Sequence, residues 1–92
     1  MADGKVNRMT IRTAEAYFNG NSGGDMLAVD VTAPTVSGKV CIGVTGYFVF
    51  LNDYGQTCDV VPAGNTGNVY HFSIWVTGTG TNHRLRVRFL YE

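Results

Sequence analysis

Val40–Leu51 reads VCIGVTGYFVFL and is the longest apolar run in the chain. Its β-branched and aromatic side chains favour a pleated backbone, and Gly43 and Gly46 argue against a helix interior. At twelve residues it is too short to cross a bilayer as a helix. Val40, Ile42, Val44, Phe48 and Phe50 make one face apolar, interrupted by Gly46. The alternate positions Cys41, Gly43, Thr45, Tyr47, Val49 and Leu51 are only slightly wetter. A strand with one face in water alternates, whereas one covered on both faces reads as a near-continuous apolar run. The stretch is therefore expected to be the central strand of an all-β domain. Its even positions should face the core, and its odd positions still need a cover.

Downstream, Asn52-Asp53-Tyr54-Gly55 reads as a turn and Gln56–Val61 as a short returning strand ended by Pro62. A hairpin closed there places Cys58 opposite Val49, with Cys41 far along the strand. A disulfide needs Cα atoms within about 7 Å, so two free thiols are expected unless a bend at Gly46 or a crossing between sheets brings them together. Ala63–Asn68 follows as a glycine-asparagine loop.

Upstream, Ser37-Gly38 turns the chain, and Ala33-Pro34-Thr35 stops the preceding strand because proline cannot donate to a ladder. That strand, Met26–Thr32, turns Leu27, Val29 and Val31 inward and Ala28, Asp30 and Thr32 outward. Before it lies the loop Asn19–Asp25, rich in residues that tolerate positive φ. Its oxygen-bearing side chains raise calcium as a ligand, but a single carboxylate and no EF-hand spacing favour a plain hairpin loop. In Lys5–Ala14, Arg8, Thr10 and Arg12 are expected on one face and the apolar Met9 and Ile11 on the other, with Tyr17 or Phe18 turning inward further on.

Two later segments alternate cleanly. Val69–Thr77 presents Tyr70, Phe72, Ile74 and Val76 to a core, with His71, Ser73, Trp75 and Thr77 outside. Arg84–Tyr91 presents Leu85, Val87, Phe89 and Tyr91 inward and Arg84, Arg86 and Arg88 outward. No helix is required. The chain is read as a single all-β domain spanning residues 1–92, with residues 1–4 a flexible tail. The expected architecture is a small antiparallel β-sandwich or jelly-roll of about six or seven strands.

Thr45–Phe50, TGYFVF, resembles the G-Y-x-F strand of the trimeric jelly-roll modules of the tumour-necrosis-factor group over these few residues. That resemblance implies a jelly-roll that covers its surplus apolar face with copies of itself. Self-association is accordingly expected.

Formal charge is zero, from seven basic and seven acidic side chains, which speaks against a general nucleic-acid binder. No window reaches membrane-spanning length. The start, MADGKVNRM, lacks the apolar segment of a secretion signal, which indicates cytoplasmic synthesis or a trimmed beginning and leaves the location unknown. Cys41 and Cys58 have neither C-x-x-C spacing nor a nearby histidine pair, so no metal site and no cofactor are expected. Nor does His71 or His83 sit in a recognisable nucleophile motif, and no glycine loop opens a helix to cradle phosphate. The chain is not read as an enzyme. His83 is expected in a turn, in a structural or solvent-exposed role.

The candidate site comes from pairing the last two strands through the loop Gly78–His83. Trp75 then faces Arg86, Ser73 faces Arg88, Thr77 faces Arg84 and His71 faces Leu90. An indole offers a flat apolar face, and arginine a fork for carboxylate or phosphate. Trp75, Arg86, Arg88, Ser73 and His71 are thus the candidate ligand-binding residues. Secondary contacts are expected from the loops, through Asn21, Asp25, Asn52, Asp53, Tyr54, Asn82 and His83. Five of the seven basic residues, Arg8, Arg12, Arg84, Arg86 and Arg88, are read on outer faces of the terminal strands. If those strands are neighbours, they form a basic stripe. These features fit a non-catalytic, lectin-like module that binds a carbohydrate or a cell-surface receptor and self-associates. The rivals are an assembly protein, such as a capsid or appendage component, and a small inhibitor or adaptor of another protein.

Overall fold

The computed structural model describes residues 9–20, 26–52, 57–78 and 80–92. The expected flexible tail, residues 1–4, lies outside them. The described chain is all-β, with six strands: β1 (Thr10–Phe18), β2 (Leu27–Thr32), β3 (Cys41–Phe50), β4 (Cys58–Thr66), β5 (Val69–Val76) and β6 (His83–Tyr91). They form two three-stranded antiparallel sheets, ordered β1-β6-β3 and β2-β5-β4. The first and last strands pair, and so do the second and fifth, as in a ribbon folded on itself and rolled into a small sandwich.

Three strands carry the core as their alternation predicts. Val29 and Val31 of β2, Phe72, Ile74 and Val76 of β5, and Leu85, Val87, Phe89 and Tyr91 of β6 are all buried. β6, not β3, is the central strand of its sheet. Its four inward apolar residues meet the inner face of the opposite sheet, Phe89 against Tyr70 with ring centroids 5.2 Å apart. The Tyr91 hydroxyl donates to the Pro34 carbonyl, giving this buried phenol a partner.

The expectation for Val40–Leu51 is corrected in both respects. β3 lies at the edge of its sheet, and its inward residues are Cys41, Val44, Val49 and Leu51, packed on the core, with the Tyr47 ring against Phe72. Register shifts between Cys41 and Gly43 and between Val44 and Gly46 each insert one extra residue opposite β6. Each bulge reverses the parity of everything beyond it. Gly43 has φ +152°, a conformation that side chains rarely adopt, which places the first bulge at a glycine. The two reversals cancel: odd positions are covered at both ends of β3, the even residue Val44 turns inward between the bulges, and Phe48 and Ile42 are left outside at 61% and 47% exposure.

Two expected hairpins are instead crossings between sheets. The segment after β3 passes to β4 in the other sheet, so Cys58 pairs with Val76 rather than Val49. The segment after β5 passes to β6 in the same manner, so β5 and β6 are not neighbours. Cys41 and Cys58 stand on different sheets as free thiols, and burial raises the Cys58 pKa. Nor does Pro62 end its strand. β4 is an edge strand, where proline is tolerated, and it continues past a bulge between Pro62 and Asn65 into a tight turn at Gly67-Asn68.

In β1 the expected parity is also reversed. Arg12 pairs with the inward Phe89, whereas Ile11 pairs with Leu90 and is 43% exposed. The later members of the strand decide this, because Ala14, Ala16 and Phe18 pack on the core and share Arg12's parity.

Described residues from the three loop regions singled out in the sequence meet at one end. The Gly20 amide donates to the Gly80 carbonyl at 2.8 Å, and a Cβ on Gly20 would collide with the Gly78 carbonyl. The Asn82 amide, at φ +59°, donates to Asn19 Oδ1, and Asn52 Nδ2 donates to the Thr81 carbonyl. His83 is the first residue of β6 and is fully buried, not exposed in a turn. Its Nδ1 accepts from the Asn52 amide at 2.9 Å, its ring lies 5.4 Å from Phe18, and its Nε2 has no partner among the described residues.

At the opposite end, Cys41 Sγ lies 3.4 Å from the Tyr70 hydroxyl. That hydrogen bond, then burial, pushes the Tyr70 pKa up to about 12. A raised tyrosine pKa means that the folded state holds the proton more tightly. Its stabilising contribution is complete below the ordinary value of 10.0 and is lost as pH rises toward about 12. Phenolate absorbance during alkaline titration should show a late tyrosine step that Tyr70→Phe removes. Its persistence in that variant would assign the step to another tyrosine.

Candidate functional site

The outer face of the β1-β6-β3 sheet can be read as four rows set by register. Tyr17, Arg84 and Phe50 lie side by side, then Glu15, Arg86 and Phe48, then Thr13, Arg88 and Gly46, then Ile11, Leu90 and Gly43. The outward arginines of β6 thus run between an edge bearing Tyr17 and Glu15 and an edge bearing two phenylalanines.

Glu15 draws two of the arginines together. Its carboxylate accepts from Arg86 Nε at 2.7 Å and from Arg84 Nη1 at 3.3 Å. The Arg86 hydrogen bond is the main cause that holds its pKa below the usual carboxylate value, and partial desolvation opposes it. Both guanidinium carbons sit 4.7 Å from the Phe50 ring centroid, so the ring shelters the paired charges. Phe48 meets Phe50 edge-on, with centroids 4.8 Å apart, and otherwise faces water.

Beside this cluster the sheet opens into a groove of about 230 Å³ lined by Gly46, Tyr47, Phe48, Arg86 and Arg88. It exists because Gly46 contributes no side chain: a Cβ built there meets nothing within 4 Å. The volume falls below the roughly 300–1,000 Å³ of sites for drug-sized ligands, a size suited to one small ring or group.

Arg86 and Arg88, named from the sequence, are in this groove; Trp75, Ser73 and His71 are not. Those three lie on the outer face of the other sheet, where Trp75 pairs with Asp59, Ser73 with Ala28 and Val61, and His71 with Asp30. The sequence pairing of Trp75 with Arg86 fails because β5 and β6 belong to different sheets. Phe48 and Phe50 take the aromatic role beside the arginines, and the sequence reading missed them because it turned the even positions of a run apolar on both faces inward.

The terminal strands do pair, as the basic stripe requires, but Glu15 neutralises part of the stripe and Arg12 is off it. Of the loop candidates, Asn52, Asn82 and His83 meet at the sandwich end described above, with His83 inside. Arg8, Asn21, Asp25, Asp53 and Tyr54 lie outside the described residues, as does most of the loop considered for calcium.

On the second outer face, His71 Nδ1 lies 2.8 Å from Asp30 Oδ1, and its Nε2 lies 2.9 Å from Thr66 Oγ1. Hydroxyl, imidazole and carboxylate follow the order of a hydrolytic triad. All three also span β2, β5 and β4, and the His71 and Asp30 side chains are 34% and 56% exposed. In that wet setting the chain of contacts stitches three strands together. Among the described residues, no group of three or more His, Cys, Asp or Glu side chains could hold a metal. No helix among them is long and apolar enough to cross a membrane.

No family model, curated protein or solved structure matches the chain.

Proposed function

We propose that this protein is a non-catalytic, lectin-like binding module whose site is the groove on the outer face of the β1-β6-β3 sheet. The observation that carries this reading is the open floor at Gly46, walled by the exposed Phe48 ring and by two arginines. An aromatic face can stack on the apolar side of a sugar ring, while guanidinium groups bond its oxygens. A glycan array tests it directly. Gly46→Leu fills the groove without touching the core and should reduce binding by at least tenfold, whereas Trp75→Ala should leave it intact. Loss of binding on Trp75→Ala alone would move the site to the other sheet.

The edge position of β3 favours a second reading, assembly with further copies. β3 is ten residues long and no described strand pairs its outer edge. Val40 and Ile42 stand exposed beside it. Unprotected edges of this kind accept an added strand. Light scattering distinguishes the outcomes: a defined multimer that Ile42→Lys converts to monomer supports assembly through this edge, and a wild-type monomer removes it.

A further inference from the structure

We infer that the groove selects acidic sugars, with Arg88 receiving the carboxylate or sulfate; this rests on the groove being the binding site. The three outward arginines of β6 are chemically unequal. Arg84 and Arg86 are committed to Glu15 at 3.3 and 2.7 Å and cover Phe50. Arg88 is exposed, and among the described residues its guanidinium has no ion pair or hydrogen-bond partner.

Its neighbours explain this. Across the ladders Arg88 stands between Thr13 and Gly46, neither of which carries charge or bulk. The same row that lacks a carboxylate for Arg88 also lacks a side chain over the groove floor. A ligand anion therefore reaches the arginine fork without displacing a pair with any described residue.

Groove size and lining set the rest of the ligand. A space of about 230 Å³ beside Phe48 takes one ring with an apolar face, and the fork matches two oxygens of a carboxylate or a sulfate ester. A neutral sugar would stack on Phe48 but leave Arg88 in water. Charge-assisted hydrogen bonds are roughly twice as strong as neutral ones, so the acidic group should dominate selectivity.

The test is an amide-shift titration of the full chain with glucuronate, glucose 6-sulfate and glucose, following Gly46, Phe48 and Arg88. At least one acidic sugar should bind tenfold or more tightly than glucose, and the better of the two identifies the anion. Arg88→Gln should abolish that preference, and Arg88→Lys should restore it in part because it keeps the charge but loses the fork. Arg84→Gln, outside the groove, should retain it. Equal binding of glucose and both acids, still blocked by Gly46→Leu, overturns the acidic preference while leaving the binding site standing. Acid-selective binding unaffected by Arg88→Gln overturns the role of Arg88. Silence towards all three sugars, together with array binding unaffected by Gly46→Leu, overturns both the groove and the inference.

Discussion

Phe89→Ala should cost about 3–5 kcal/mol, whereas the same substitution at Phe48 should cost only about 1 kcal/mol. Phe89 is fully buried on the central strand, against Tyr70 of the other sheet. Removing its ring leaves a cavity that a rigid β framework fills poorly. A domain of this size has a whole stability of roughly 5–15 kcal/mol, so the variant is expected near the limit of folding. Phe48 loses only its edge-on contact with Phe50 and is otherwise in water. At about 4–8 °C per kcal/mol, melting curves followed by circular dichroism should separate the two variants by about 8 °C or more. The comparison probes the register of β3 itself. Were Phe48 on the core side, as the expectation of inward even positions implies, both substitutions would be comparably damaging.

His83→Ala is the second substitution with a large expected effect, on the order of 2–4 kcal/mol. The imidazole is fully enclosed under Phe18, and its Nδ1 receives the Asn52 amide. Since Nδ1 accepts, the ring proton sits on Nε2, which has no partner among the described residues. An unpaired buried donor is itself destabilising. His83→Phe should therefore recover part of the loss: a ring still fills the site and the unpaired donor is gone, while the half-buried Asn52 amide loses its acceptor. Denaturant midpoints measured for both variants decide the point. If His83→Ala is no worse than an ordinary surface change, the ring is not enclosed in solution.

Under the proposed function, stability and binding divide between the two faces of one sheet. The inward side of β6, Leu85, Val87, Phe89 and Tyr91, builds the core, while its outward arginines meet Glu15, the phenylalanines and the groove. Groove variants such as Gly46→Leu and Arg88→Gln change side chains outside the core, so their effects on binding can be read without unfolding the domain.

The amino-acid sequence by itself determined the all-β class and the inward faces of β2, β5 and β6. Strict alternation is a local property, written in consecutive residues and independent of which strand lies alongside. The same locality made Arg86 and Arg88 legible as outward cations. Tertiary structure alone decided the partners: β6 lies between β1 and β3, Trp75 falls on the opposite sheet, and Glu15 comes to rest between Arg84 and Arg86. It also decided which face of Val40–Leu51 is covered. Two extra residues in β3 are bulges only relative to β6, and a one-residue shift exchanges inside for outside. In a run apolar on both faces, local pattern could not say which side is covered, so pairing with β6 decided that Val44 turns inward between the bulges and that Phe48 and Phe50 lie on the arginine face.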